Sequence, residues 1–367
     1  MKHLLWVLWC VGFMCLWGAC TGGEQPEKEE PRLPDTPSIT PSTPSDSTSS
    51  NDSTITPSSI IDISKVNTKL CNSNASQPAQ NLYAKMLSVY GKNTFSGITE
   101  CNITSNDFSN AIFSLSGKYP AIVNYQIDSI NSADFSDLSK ILLNHSQNRI
   151  VAISWNWLTP SSQSDNPQNY AIDSQFSIAN ALIDKTWEFK FLIQDLEKVA
   201  KLIDKLRQAD IPVIFSPLNS NKPNSWWTRA TPLHFTELWK LIYDQLAVRH
   251  QLNNIIWVWT ANTESFNNND IKDWYPGKKY IDLVGVNTCQ STQNTHNTFQ
   301  QVYTSTAGTH MLAISACNTI PDPDKALTNG DIWLYFNVLS AQNNPFFYNS
   351  IEYWSYIISH KSIITSN

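Results

Sequence analysis

The chain has 367 residues, 41% of them hydrophobic, and its 25 Lys and Arg against 31 Asp and Glu leave a formal net charge of −6. That mild acidity, with no Lys/Arg cluster, argues against nucleic acid as a partner, since such binding rests on neutralising phosphates. No CxxC or Cys/His ligand spacing and no glycine-rich phosphate loop occurs, so neither a metal nor a cofactor is expected.

Met1, Lys2 and His3 give a basic start, residues 4–17 are almost wholly apolar, and Gly18 and Ala19 precede Cys20. Residues 1–19 therefore read as a secretory signal, with an apolar core too short to span a bilayer. Small residues directly before a cysteine resemble a bacterial lipobox. The resemblance implies that Cys20 carries lipid and anchors an exported lipoprotein in the membrane, at the outer membrane or cell surface. Residues 20–60 are dominated by Pro, Ser, Thr, Asp and Glu, and no aromatic residue falls between Trp17 and Tyr83. Such a segment cannot bury enough apolar surface to order itself, so it is expected to be a disordered tether. Its ends would stand about 30–40 Å apart. Residues 61–367 suit one large domain.

Within that domain, β-branched or aromatic runs at 94–98, 121–126, 150–155, 212–216, 254–259, 281–287, 310–315 and 350–356 predict eight strands. Amphipathic patterns at 134–145, 186–208, 232–250 and 323–343 predict helices. In the second of these, Leu192, Leu196, Val199, Ile203 and Leu206 recur at steps of three and four. Alternation of this kind predicts an α/β fold, a (β/α)8 TIM barrel, whose function collects at the carboxyl ends of the strands. From the third strand on, those ends carry Trp155, Asn156 and Trp157, then Asn219 and Ser220, Asn262, Asn287 and Cys289, Ala316 and Cys317, and Trp354, with no carboxylate. Aromatic faces stack on sugar C–H surfaces and amides bond hydroxyls. Trp155, Asn156, Trp157, Asn219, Trp226, Trp227, Trp274, Asn287 and Trp354 are therefore candidate glycan contacts, with core packing the competing role for the tryptophans.

Several longer motifs occur in one register: residues 90–97 (YGKNTFSG), 117–121 (GKYPA), 153–157 (ISWNW), 238–243 (LWKLIY), 252–259 (LNNIIWVW), 273–277 (DWYPG), 280–286 (YIDLVGV) and 320–323 (IPDP). In these the chain resembles glycoside hydrolase family 26, best known for β-mannanases, over residues 82–354. The departures fall on the chemistry. Where the family writes Arg-Pro-Leu-His-Glu, this chain has residues 216–220 (SPLNS), which puts Ser220 at the acid/base position. Where it writes Ser-Glu, the chain has Ser315 and Ala316, so Ala316 takes the nucleophile position. The histidine of a Trp-His-Trp segment falls on Asn156, and an Asp and a Tyr after strand six fall on Asn287 and Cys289.

Retaining glycoside hydrolysis needs two carboxyl groups about 5–5.5 Å apart. A protein with Ser220 and Ala316 at those positions has neither attacker nor proton donor. The resemblance thus implies a barrel that binds β-linked, mannan-type polysaccharide or oligosaccharide without cleaving it. Two alternatives stand beside it: an active endo-β-mannanase using relocated carboxylates such as Glu264, Asp270, Asp273, Asp322 or Glu352, and a non-catalytic scaffold. Four cysteines beyond Cys20 allow three pairings. Cys71–Cys101 and Cys289–Cys317 are the expected disulfides, with unbridged buried thiols as the alternative.

Overall fold

Eight strands run parallel in chain order and close on themselves: β1 Thr94–Glu100, β2 Ile122–Ile127, β3 Ile150–Trp155, β4 Val213–Pro217, β5 Ile255–Ala261, β6 Leu283–Thr288, β7 Met311–Cys317 and β8 Tyr335–Leu339. The computed structural model describes residues 61–128, 136–219, 224–261, 263, 271–289, 295–340 and 344–367. The signal segment, the tether, Cys20, Ser220, Asn262, Glu264 and Asp270 lie outside them. Closure occurs at Gly97, which pairs with Ile122 on β2 and with Asn337 on β8. A Cβ there would stand 2.2 Å from Asn337 Oδ1 and 2.5 Å from Phe336 O, so only glycine lets these strands meet. Gly97→Ala is expected to cost about 1–3 kcal/mol by overpacking the seam, read as a lower urea midpoint with an unchanged slope.

Helices cover the outside: α1 Gln77–Val89, α2 Asp107–Ser116, α3 Ser139–Ser146, α4 Trp187–Gln208, α5 Pro232–Tyr243, α6 Thr295–Ser305, α7 Pro323–Asn329 and α8 Ile351–Ser359. Helix α4 starts where the Thr186 hydroxyl accepts the Phe189 N–H, and it buries Leu192, Leu196, Val199, Ile203 and Leu206 against the barrel. Each such side chain contributes about 1.5–3 kcal/mol of burial.

One expected strand is corrected. The segment 350–356 is helical: Ser350 caps α8, and Trp354, Ile357 and Ile358 form its buried face. The eighth strand is instead β8, inside the segment 323–343 expected to be one helix. Gly330, at φ +74°, ends α7 after Asn329 in a left-handed cap, which frees the following apolar run to pair.

The first described residues form a strap across the amino end of the barrel. Asp62 N–H donates to the Tyr303 hydroxyl, Asn67 N–H to the Thr309 carbonyl, Cys71 N–H to the Asp282 carboxylate and Ser76 N–H to the Asn253 carbonyl. This placement overturns the Cys71–Cys101 bridge. Cys71 lies at the amino end beside Asp282, whereas Cys101 follows the last residue of β1 at the carboxyl end. A strand of that length spans about 20 Å, against the roughly 4.4–6.8 Å Cα separation a disulfide allows. Cys289 and Cys317 are not bridged either. They end neighbouring strands, but the Cys317 thiol donates to the Asn337 carbonyl on β8, on the opposite flank from β6.

Candidate functional site

At the carboxyl end of the barrel lies a cleft of about 300 Å³, lined by Asn124, Gln126, Asp128, Ser154, Asn156, Leu158, Ile172, Asn219, Asn287, Ala316, Leu339 and Ser340. Its floor is a hydrogen-bonded layer of short polar side chains. Asn124 Nδ2 donates to Thr99 Oγ1 at 3.1 Å and to Ser154 Oγ at 3.0 Å, while Thr260 Oγ1 meets Ser216 Oγ at 2.8 Å and Ser315 Oγ at 3.2 Å. Asn219 is delivered by an unusual turn. Leu218 just past β4 is buried at φ +56°, a left-handed conformation that a leucine adopts only under packing constraint. The Asn219 N–H then donates to the Trp155 carbonyl, and its Oδ1 accepts from Asn287 Nδ2 at 3.1 Å.

Three of the expected polar contacts, Asn156, Asn219 and Asn287, thus line one cleft, with Ala316 in the same wall. The structure adds Asp128, the only carboxylate among the described lining residues. Its Oδ1 accepts from Gln126 Nε2 at 2.7 Å and Asn156 Nδ2 at 3.0 Å. The signal for it was a carboxylate just beyond the second strand, in the position where the other strand ends carry their asparagines.

The expected tryptophan platform is corrected. Trp155, Trp157, Trp226, Trp227, Trp274 and Trp354 are all at most 3% exposed, so none offers a ring face to a sugar. Trp155 and Trp157 stack at 3.9 Å, and Trp226 meets Trp157 edge-on at 5.6 Å. Trp226 donates its indole N–H to the Trp157 carbonyl, and Trp157 donates its own to Asp195 at 3.0 Å. Burial pushes the Asp195 carboxyl up, with Lys198 and the Trp157 indole pulling the other way. The segment between β3 and α4 closes this cluster from outside, with Phe176 edge-on to Trp226 at 5.0 Å and to Trp187 at 5.6 Å. Trp274 packs on Phe235 and Trp354 on Phe108.

The other acids are engaged elsewhere. Glu100 ends β1 but is buried and accepts the Phe108 and Ser109 N–H groups, capping α2. Asp322 accepts the Asp324 and Lys325 N–H groups at the start of α7. Asp273 is exposed on a short helical turn and Glu352 is exposed in the first turn of α8. None of these four lines the cleft.

A closed (β/α)8 barrel whose carboxyl end opens into an amide-lined cleft defines the class: a TIM-barrel protein with a site on the face where that fold carries function. The profile of Glycosyl hydrolase family 26 matches residues 71–367, and the chain belongs to that family. Among curated relatives, mannan endo-1,4-beta-mannosidase A of Piromyces sp is 27% identical over 292 residues, covering 76% of this chain and 46% of the relative. A mannan endo-1,4-beta-mannosidase of Bacillus subtilis is 26% identical over 210 residues, covering 52% of this chain and 56% of the relative. The chain thus spans about half the length of these curated relatives. Among solved structures, a ruminal endo-beta-1,4-mannanase of the family shares the fold at a TM-score of 0.74 and 24% identity, over 83% of this chain and 71% of that one. The beta-mannanase of a symbiotic protist of the termite Reticulitermes speratus, solved with gluco-manno-oligosaccharide, gives 0.70 and 26%, over 82% of this chain and 97% of that one.

Proposed function

We propose that this protein binds β-linked, mannan-type glycans in its cleft and does not cleave them. The observation that carries the reading is the methyl side chain of Ala316 in the cleft wall, at the position where the family motif carries its nucleophile, together with a single carboxylate, Asp128, among the described lining residues. One carboxylate cannot act as both attacker and proton shuttle. The cleft instead offers amide donors and acceptors from Asn156, Asn219 and Asn287, which suit sugar hydroxyls. The protist enzyme, whose structure holds gluco-manno-oligosaccharide, supports the choice of ligand class.

The proposal extends to location. Cys20 would carry lipid, and the segment 20–60 would hold the barrel off an outer membrane or cell surface. Cys20→Ser is expected to move the protein from the membrane fraction to the soluble one.

Calorimetric titration with manno-oligosaccharides and glucomannan should show binding, while reducing-end release from galactomannan stays at the level of a buffer control. Asn219→Ala and Asn287→Ala should each weaken binding about 5–10-fold, the worth of one well-made hydrogen bond. Depolymerisation at an ordinary enzymatic turnover, or no binding to any β-glycan, would refute the reading.

A further inference from the structure

The described cleft lining holds no aromatic ring, because the tryptophans near it are consumed by the core. Hydroxyl-to-amide bonds alone exchange one set of hydrogen bonds for another with water, so net affinity for a sugar gains most from an apolar ring face. Two such faces stand exposed at the same end of the barrel. Phe347 is 50% and Tyr348 40% exposed, with ring centroids 4.9 Å apart at 85°.

Their segment follows a strand of the cleft wall in sequence and is tied to the loop that follows β7. It follows β8, whose end supplies Leu339 and Ser340 to the cleft wall. Asn349 then ties it back: its Oδ1 accepts the Ile320 N–H at 2.9 Å, and its Nδ2 donates to the Asn318 carbonyl at 2.7 Å. Asn318 lies two residues beyond Ala316. The Tyr353 hydroxyl also donates to the Ile320 carbonyl at 3.1 Å. Two large rings are therefore held in water on a fastened support at the end of the barrel where the cleft opens, with Ile351, three residues on from Tyr348, also exposed. Clustered exposed apolar groups of this kind mark a binding surface.

We propose that Phe347 and Tyr348, whose rings meet edge-on, form a corner-shaped platform for a pyranose unit, one ring stacking on its C–H face and the other closing against its edge. It is a second station for the same β-linked chain that enters the cleft between Asn219 and Ala316. This rests on the glycan-binding reading and adds to it a preference for length: a ligand must reach from the cleft to the platform to use both. Preorganised rings need little ordering on binding, so their contribution passes largely into affinity.

The test is calorimetric titration of the full chain and of the Phe347→Ala/Tyr348→Ala variant with mannobiose and with mannohexaose. For the hexasaccharide the variant should lose about 30-fold in affinity, the combined effect of two aromatic anchors. Its disaccharide affinity and melting temperature should match the parent, since both rings are on the surface. Tyr348→Phe, which keeps the ring and loses the hydroxyl, should retain hexasaccharide affinity. If the parent binds hexasaccharide and the double variant binds it equally well, the platform is overturned and the cleft reading survives. If the parent binds neither sugar, both fall, and a protein partner for this surface becomes the better account.

Discussion

Trp157→Ala should lower folding stability by about 3–5 kcal/mol, the cost of emptying a large aromatic site in a packed core. Three contacts are lost together: the stack on Trp155, the edge contact with Trp226 and the indole hydrogen bond to Asp195. Removing the indole leaves Asp195 buried with Lys198 as its remaining bonded partner, which places the effect toward the upper end of that range. For a domain of this size the melting temperature should fall by roughly 5–10 °C. Trp157→Phe keeps most of the volume but not the N–H, and should recover about half of the loss. A Trp157 acting as an exposed sugar platform would behave differently, with glycan affinity falling while the melting temperature stayed unchanged. A thermal melt of the ligand-free variant separates the two roles.

Acidification should leave the parent's stability nearly level between about pH 4 and 6.5 as far as two buried groups at the amino end of the barrel decide it, because they act in opposite directions. Asp282 accepts the Cys71 N–H at 2.6 Å and the Trp257 N–H at 2.7 Å; burial nonetheless raises its carboxyl to about 6. A raised carboxyl binds its proton more tightly in the folded state, so its contribution is full below about pH 4 and is lost as pH rises through 6. His310 is fully buried beside Thr309, Asn67 and Tyr275, and burial lowers it to about 4. A lowered histidine resists protonation when folded, so its contribution is full above about pH 6.5 and is lost as pH falls through 4. Each is worth about 3 kcal/mol across its window, at 1.36 kcal/mol per unit. Asp282→Asn should therefore expose the histidine's slope, with stability falling steeply as pH drops from 6.5 to 4. His310→Gln should expose the opposite slope, with stability rising over the same interval. Urea unfolding at several pH values reads both, and parallel profiles for the two variants would contradict the assignment.

The barrel was legible because seven of its strands are short β-branched runs between turn signals, which buried parallel strands require. The eighth was hidden: Trp333 to Leu339 is apolar but for Asn337 and follows a seven-residue helix, so only the left-handed Gly330 marks the break. The polar cleft residues Asn156, Asn219 and Asn287 could be placed because strand ends fix where their side chains emerge. The fate of the tryptophans could not, since burial depends on a distant segment folding over them, and Phe176 carries no local mark of that role. Asp128 lies only two residues beyond the expected second strand, 121–126. The Cys71–Cys101 pair failed for a related reason, since sequence separation does not tell which end of a barrel a thiol occupies; Cys289 and Cys317 share an end, but strand position does not tell which flank a thiol faces.

The strap from Ile61 to Ser76 fixes where the chain enters the barrel. Its hydrogen bonds to the Tyr303 hydroxyl and to Thr309, Asp282 and Asn253 all fall at the amino end, and the cleft opens at the other. On the proposed anchoring through Cys20, the chain that carries the anchor joins the barrel at its amino end, away from the cleft.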